Sequence, residues 1–318
     1  MVGNVTLPGF SSFFLAGIPG LEVFHYWLSI PVCLLYALTL IGNGLIVFVI
    51  RGESSLHQPM FFFLCMLAFD DVAVASTIAP RMLDIFWLDS HFIGFDVCLA
   101  QMCLIHTFCC IQSGLLVAMA FDRYVAICYP LHYATILTTP LVIKLGLLSV
   151  ARAIIMVFPS PLLVKRLRYC TQNIIRHTYC EHMAVVKLAC SNTSINRVYG
   201  ILVSFSVIFL DIGLISVSYV KILQAVFRLS SKDARSKALG TCAAHIFTIL
   251  VTYVPALFSF LTHRIGKRVP PSLHIIIASI YPLVPPAVNP LVYGVKTKQI
   301  RGQVVLLFLR KKDKVSKN

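Results

Sequence analysis

The chain is 318 residues long, 58% hydrophobic and only 12% charged. Soluble globular proteins carry roughly 45–50% apolar and about 25% charged residues, so this balance excludes a disordered chain, a coiled coil and an ordinary soluble enzyme. The formal charge of +15 comes with apolar runs that leave no room for a soluble basic domain, so it is read as membrane topology rather than nucleic-acid binding.

The tail opens with Asn4-Val5-Thr6, an N-glycosylation sequon. No Lys or Arg occurs before Arg51, so the basic n-region of a signal peptide is missing and the first apolar run is expected to be retained. A membrane helix needs about 20 mainly apolar residues. The first such run is Tyr26–Ile50, with Gly42-Asn43 inside it. The second is Pro59–Phe86, which carries Asp70, Asp71, Arg81 and Asp84. The third, Val97–Phe121, is uncharged and is followed by Asp122-Arg123-Tyr124. Lys144 and Arg152 make the fourth, Thr139–Leu163, the weakest by composition.

The loop Val164–Arg197 holds Lys165, Arg166, Arg168, Arg176, Lys187 and Arg197, and a second sequon at Asn192-Thr193-Ser194. Two readings of its charge stand: a positive field over an outer pocket, or cations tolerated once the loop is translocated. The fifth run, Val198–Val220, has a lone Asp211. Ala238–Thr262 and Pro270–Val295 are the sixth and seventh, both without formal charge.

Seven spans place the termini on opposite sides. Both sequons then fall on one face, and the eight Lys/Arg of Lys296–Asn318 fall on the other, which orients the N-terminus outward. In the tail, Ile300, Val304, Leu307 and Phe308 share one helical face ringed by Lys296, Lys298, Arg301, Arg310, Lys311 and Lys312. That pattern predicts an amphipathic helix on an anionic inner leaflet. The expected organisation is a tail (1–25), an all-α seven-span bundle (26–295) and an amphipathic helix with a short tail (296–318). No repeat suggests a carrier, and no H-E-x-x-H, G-x-S-x-G or Walker loop suggests an enzyme.

Several polar residues carry the mechanism. Asp122-Arg123 at a helix end is suited to a local ion pair that opens toward a partner. Asn289-Pro290-Leu291-Val292-Tyr293 places a proline inside the seventh span, where it frees a carbonyl. Asp71 is costly at depth unless paired or hydrated, and with Asn43 and Asn289 it reads as one polar network across three helices.

This combination resembles the rhodopsin-like G-protein-coupled receptors. The resemblance narrows with Leu56-His57-Gln58-Pro59-Met60-Phe61-Phe62-Phe63-Leu64 and Met119-Ala120-Phe121-Asp122-Arg123-Tyr124-Val125-Ala126-Ile127-Cys128. Ser218-Tyr219, Lys237-Ala238-Leu239-Gly240-Thr241-Cys242-Ala243-Ala244-His245 and Pro285-Pro286-Ala287-Val288-Asn289-Pro290 follow in order. Together they are similar to odorant receptors, and Ala16–Glu22 and Lys296–Arg301 are similar to the class I branch. Phe61 and Phe121 stand where many members carry Tyr, and Ala287 where many carry Met.

The resemblance implies disulfides Cys98–Cys180 and Cys170–Cys190. It implies a coupling and switch set of Asp122, Arg123, Tyr124, Tyr219, Lys237, His245, Asn289, Pro290 and Tyr293. It also implies a ligand site of Arg264, His106, His182, Phe260, Leu257 and Tyr253, with Tyr253 of Thr252-Tyr253-Val254-Pro255 at its base. An Arg beside an apolar cavity suits a carboxylate, so the expected ligand is a small aliphatic acid. Arg264 could instead snorkel to headgroups, and His106 could be a core histidine bonded to backbone. His177 and His182 beside Cys180 have metal-ligating types, but a disulfide at Cys180 removes its thiolate; no metal or cofactor is expected. The expected partners are an odorant, lipid and a stimulatory heterotrimeric G protein of the olfactory type at the plasma membrane. The rival readings are a non-olfactory sensor of a metabolite acid and a membrane carrier.

Overall fold

The computed structural model describes residues 11–170, 172–265, 270–297 and 299–306, with all side chains except those of Lys237, Thr241, His263, Arg264, Ile265, Pro271, Val295 and Lys296. Asn4, Leu307 and Phe308 lie outside the described residues.

Six helices among the described residues are long and apolar enough to cross a bilayer, and a bent pair supplies a seventh crossing. They run His25–Gly52, Pro59–Leu88, Phe95–Cys128, Thr139–Val157 continued by Pro159–Lys165, Ser194–Phe227, Lys232–Ile265, and Pro271–Ile280 with Val284–Lys296. These are called the first to seventh spans. Large apolar side chains such as Leu34, Leu148, Ile155 and Val217 are exposed on outward faces, the surface a lipid environment requires.

The helices overrun the expected spans. The third is 34 residues, about 51 Å at 1.5 Å per residue, against a hydrocarbon core of about 30 Å. Asp122-Arg123-Tyr124 therefore lies inside the helix rather than after it. The sixth span starts at Lys232, so Lys232 and Arg235, which precede the expected run Ala238–Thr262, are helical. Arg235 folds back to donate to Leu229 O (2.7 Å) and Phe227 O (3.2 Å), closing the turn from the fifth span. The fifth span contains a π-helical stretch, Ser206–Leu210, just before Asp211.

The seventh span breaks after Ile280, and its two halves meet at 44°. Pro285 and Pro286 have no N–H to give to Tyr281 and Pro282, which removes two consecutive helical bonds. Pro290 likewise leaves the Pro286 carbonyl without its i+4 donor. Asn43 Nδ2 of the first span fills that vacancy at 2.9 Å. Gly42 makes this approach possible, because a Cβ there would lie 2.7 Å from Pro290 Cγ.

A small sheet caps one end of the bundle, a departure from the all-α expectation. β1 (Ser12–Leu15) pairs antiparallel with β2 (Phe92–Gly94) and parallel with β3 (Ile174–Ile175). Phe13 and Leu15 alternate inward and are fully buried, so residues 11–24 pack onto the bundle rather than trailing from it. This is the sheet end; the opposite is the far end. A large core cluster lies at each, around Ile78, Met82 and Met102 at the sheet end and around Phe63, Met119 and Tyr293 at the far end. Beyond the seventh span, residues 299–306 are helical, with Ile300 fully buried and Val304 packed on the far-end cluster.

Candidate functional site

A cavity of about 220 Å³ opens within the half of the bundle nearer the sheet, between the third, fourth, fifth, sixth and seventh spans. Its roof is the loop after the fourth span. Cys98 at the start of the third span is bonded to Cys180, with Cα atoms 5.5 Å apart. Gln101 accepts from the Cys180 N–H at 3.1 Å and donates to Thr77 O at 3.0 Å, tying the loop to the second span as well. On the other side Tyr179 donates to Ala278 O (3.0 Å), and Thr178 bonds Ser279 Oγ (2.7 Å) on the seventh span. A second disulfide, Cys170–Cys190, closes the outer part of the loop. Tyr179 is fully enclosed, and that burial pushes its phenol well above the usual range, so it stays a neutral donor.

Glu181, His182 and Met183 descend from this roof into the cavity wall. The His182 ring meets that of His106 edge-on at 6.5 Å, which brings together two side chains 76 positions apart in the sequence. Glu181 Oε2 accepts from Ala184 N at 2.6 Å and caps the short helix His182–Val186. Tyr253 and Phe260 of the sixth span line the cavity with Ala256 and Ser259. Leu257, expected among them, does not. The lining stripe is centred near Ala256, and the next residue in a helix points about 100° away. The helix carries Arg264 beyond Phe260, but its side chain lies outside the described residues.

The cavity floor holds a cluster that the sequence did not assemble. Ser113 hydrogen-bonds both Asp211 and the Tyr253 hydroxyl. Arg152 forks onto Asp211 through Nη1 (2.6 Å) and Nη2 (2.8 Å) and reaches Cys110 O at 3.3 Å. The fourth span's awkward cation thus neutralises the fifth span's lone acid, and four spans meet at one point. Opposite charges at matching depth in consecutive spans were the available signal.

Gln112, also missed, lines the cavity and donates to Asp71 at 2.9 Å. Asn289 donates to both Asp71 oxygens, at 2.9 and 3.2 Å. Asp71 and Asn289 therefore meet as expected of a network, while Asn43 joins through the Pro286 carbonyl and not through Asp71. The adjacent Asp70 is buried, and neither of its carboxyl oxygens has a hydrogen-bond partner among the described residues.

At the far end, Asp122 is fully buried and Arg123 Nε donates to it at 2.9 Å, with Nη2 closing the pair. The other Asp122 oxygen accepts from Tyr133 at 2.8 Å. Burial and this carboxylate hold the Tyr133 phenol above its ordinary range, so it remains the donor. Tyr219 bonds His245 Nδ1 at 2.8 Å across the fifth and sixth spans. Tyr124 packs beside Tyr219 on the cluster formed by Ile222, Val226 and Cys242. Tyr293 is buried within the far-end core, and Pro290 packs against Gly42. The Lys237 side chain lies outside the described residues, and Asn192 is exposed, its Oδ1 accepting from Ser194 N.

The geometry is that of a roofed small-molecule cavity joined by buried polar residues to a tightened far end. The family model described as olfactory receptor matches residues 32–311. Human olfactory receptor 52P1 is 54% identical over 298 residues, covering 94% of this chain and 93% of that protein. Human olfactory receptor 52K1 is 51% identical over 308 residues, covering 97% and 98%. Human olfactory receptor 52J3 is 51% identical over 301 residues, covering 94% and 96%. With the seven-span bundle and both disulfides in place, these matches settle the family: the chain belongs to the olfactory receptors.

Proposed function

We propose that this receptor binds a small aliphatic carboxylic acid in the roofed cavity and activates a stimulatory G protein of the olfactory type, raising cAMP. Small-molecule binding and G-protein coupling come with the family; the ligand class and the G-protein type are our reading. The carrying observation is the pair of imidazoles, His106 and His182, at the cavity wall beneath the pinned loop. With Arg264 one turn beyond Phe260, they form the cationic and donor side of the site. Phe260, Met183, Val203 and Val207 form the apolar side that takes the alkyl tail. Leu257 plays no part in this version of the site.

The receptor sits in the plasma membrane with the sheet end and Asn192 outside and the far end in the cytoplasm. The charge asymmetry supports that orientation, and Asn4 and Asn192 are then the glycan acceptors. The amphipathic segment from Lys296 lies along the inner leaflet. A ligand shifts the resting equilibrium only by its differential affinity for the two states. The ligand draws the sixth span inward at the cavity, through Tyr253 and Phe260. The far end of that span then swings out, Arg123 leaves Asp122, and the cleft bordered by Tyr124, Tyr219, Lys237 and His245 accepts the G protein.

The test is cAMP in cells challenged with aliphatic acids of graded length, the matching alcohols and the matching amines, with wild type beside Arg264→Ala at equal surface expression. Acids should activate, and the variant should lose at least tenfold in potency. A response that survives Arg264→Ala removes Arg264 from the site. A preference for amines would instead give the ligand-binding role to Glu181, the carboxylate on the cavity wall.

A further inference from the structure

We infer that the outward face of the loop after the fourth span, formed by Arg166, Arg168 and Lys187, docks a sulfated polysaccharide. The inference rests on the orientation proposed above, and not on the ligand class. The residues Val164–Arg197 contain six Lys/Arg and one acid, Glu181, which is committed to the cavity wall and the Ala184 cap.

The local pattern turns the cations outward. Leu167, Tyr169 and Leu188 pack on the sheet-end core, while Arg166, Arg168 and Lys187 are exposed. The backbone beneath them is fixed. Tyr169 and Ala189 form an isolated antiparallel bridge, and the adjacent Cys170 and Cys190 are joined by a disulfide. Arg168 is held on both sides: its N–H donates to Ser191 Oγ at 3.1 Å, and its carbonyl accepts from Cys190 N at 2.9 Å. Among the described residues no acid pairs with any of the three cations, whereas the neighbouring Lys165 is paired with Asp96 at 3.0 Å.

Three unpaired cations on a loop held by this bridge and disulfide match a partner carrying several anions. A monocarboxylate would satisfy a single cation. Each added contact also releases condensed counterions from a polyanion, a gain that a small acid lacks. Arginine's planar fork suits tetrahedral oxyanions as it suits phosphate.

The experiment uses the full-length receptor in nanodiscs of neutral phosphatidylcholine, titrated with fluorescent heparin and with desulfated heparin. Wild type should bind heparin, lose affinity steeply as salt rises, and ignore the desulfated chain. The triple variant Arg166→Ala/Arg168→Ala/Lys187→Ala should bind about tenfold more weakly, since exposed pairs contribute a factor of roughly two to five each. Its unchanged melting temperature and agonist response would establish that the loop is intact. Wild-type affinity in the triple variant, or no heparin binding by wild type, overturns the proposal. So does unchanged heparin binding with a shifted potency for acids, which gives the patch to the small ligand. Heparin binding to intact, unpermeabilised cells, beside staining of an N-terminal tag, tests the orientation separately. Nanodisc binding with neither signal on cells would discard the orientation and with it the extracellular partner.

Discussion

Arg152 counts against the fourth span in any hydropathy sum, yet its fork onto Asp211 turns two liabilities into one neutral group. Asp211 is fully buried and the Arg152 side chain is 22% exposed, so removing Arg152 strands a carboxylate in a low-dielectric interior. Breaking such a pair costs about 3–5 kcal/mol, whereas replacing both members by apolar residues is close to neutral. Arg152→Met should therefore reduce surface expression severely, and Arg152→Met/Asp211→Leu should recover most of it, read by flow cytometry and by melting temperature in detergent. A double variant as impaired as the single one would mean that the pair is not what Arg152 is for. Asp70 is the opposite case, a buried carboxyl with no hydrogen-bond partner for either oxygen among the described residues. An apolar side chain of similar size leaves no polar atom unpaired there. Asp70→Leu should raise stability by roughly 1 kcal/mol or more, seen as a higher melting temperature. A lower one would show that the acid is needed.

The seventh span shows how an element is completed by its neighbour. Three prolines between 285 and 290 remove helical donors, and the first span repairs one of the gaps with Asn43 while Gly42 lets it come close. Asn43→Leu leaves the Pro286 carbonyl unpaired in a dry interface, at a cost of about 1–3 kcal/mol. Gly42→Val should cost more, because the added carbons meet the Pro290 ring. Both effects are measurable as lost thermal stability, with Gly44→Ala, where nothing lies within 4 Å, as the control. The spans themselves were legible because apolar length is a strong signal. Their ends were not, since helices here continue past the lipid on polar residues such as Asp122 and Lys232. The sheet was invisible for a different reason. Its strands are only 4, 3 and 2 residues long, and they pair across roughly 80 and 160 positions. The cavity was partly legible. His106, His182, Tyr253 and Phe260 all line it, but Leu257 falls off the stripe. Gln112 escaped notice because a neutral amide in an apolar run carries no pattern until Asp71 is placed beside it.

Across the whole molecule, the cavity reaches the far end through side chains that belong to both. Gln112 touches the cavity and Asp71, and Asp71 holds Asn289 on the seventh span. Tyr253 and Ser113 join the cavity floor to the Arg152–Asp211 pair. Separately, at the far end, Asp122 is held from two sides, by Arg123 and by Tyr133. Under the proposed coupling, that grip is the brake, and each contact should weigh on the resting equilibrium in proportion to its strength. A charge-assisted hydrogen bond is worth about 1.5–3 kcal/mol, and 1.4 kcal/mol is a factor of ten. A receptor with about one molecule in a hundred active at rest would rise to roughly one in ten or beyond when the Asp122 charge is removed. Ligand-independent cAMP, normalised to surface expression, should then be highest for Asp122→Asn and intermediate for Tyr133→Phe, which deletes a single bond. Wild type should be lowest of these three. Arg123→Ala should be silent with or without ligand, because the side chain that enters the partner is gone. Equal basal signals for wild type, Asp122→Asn and Tyr133→Phe would mean that the Asp122 cluster holds the fold together and does not restrain signalling.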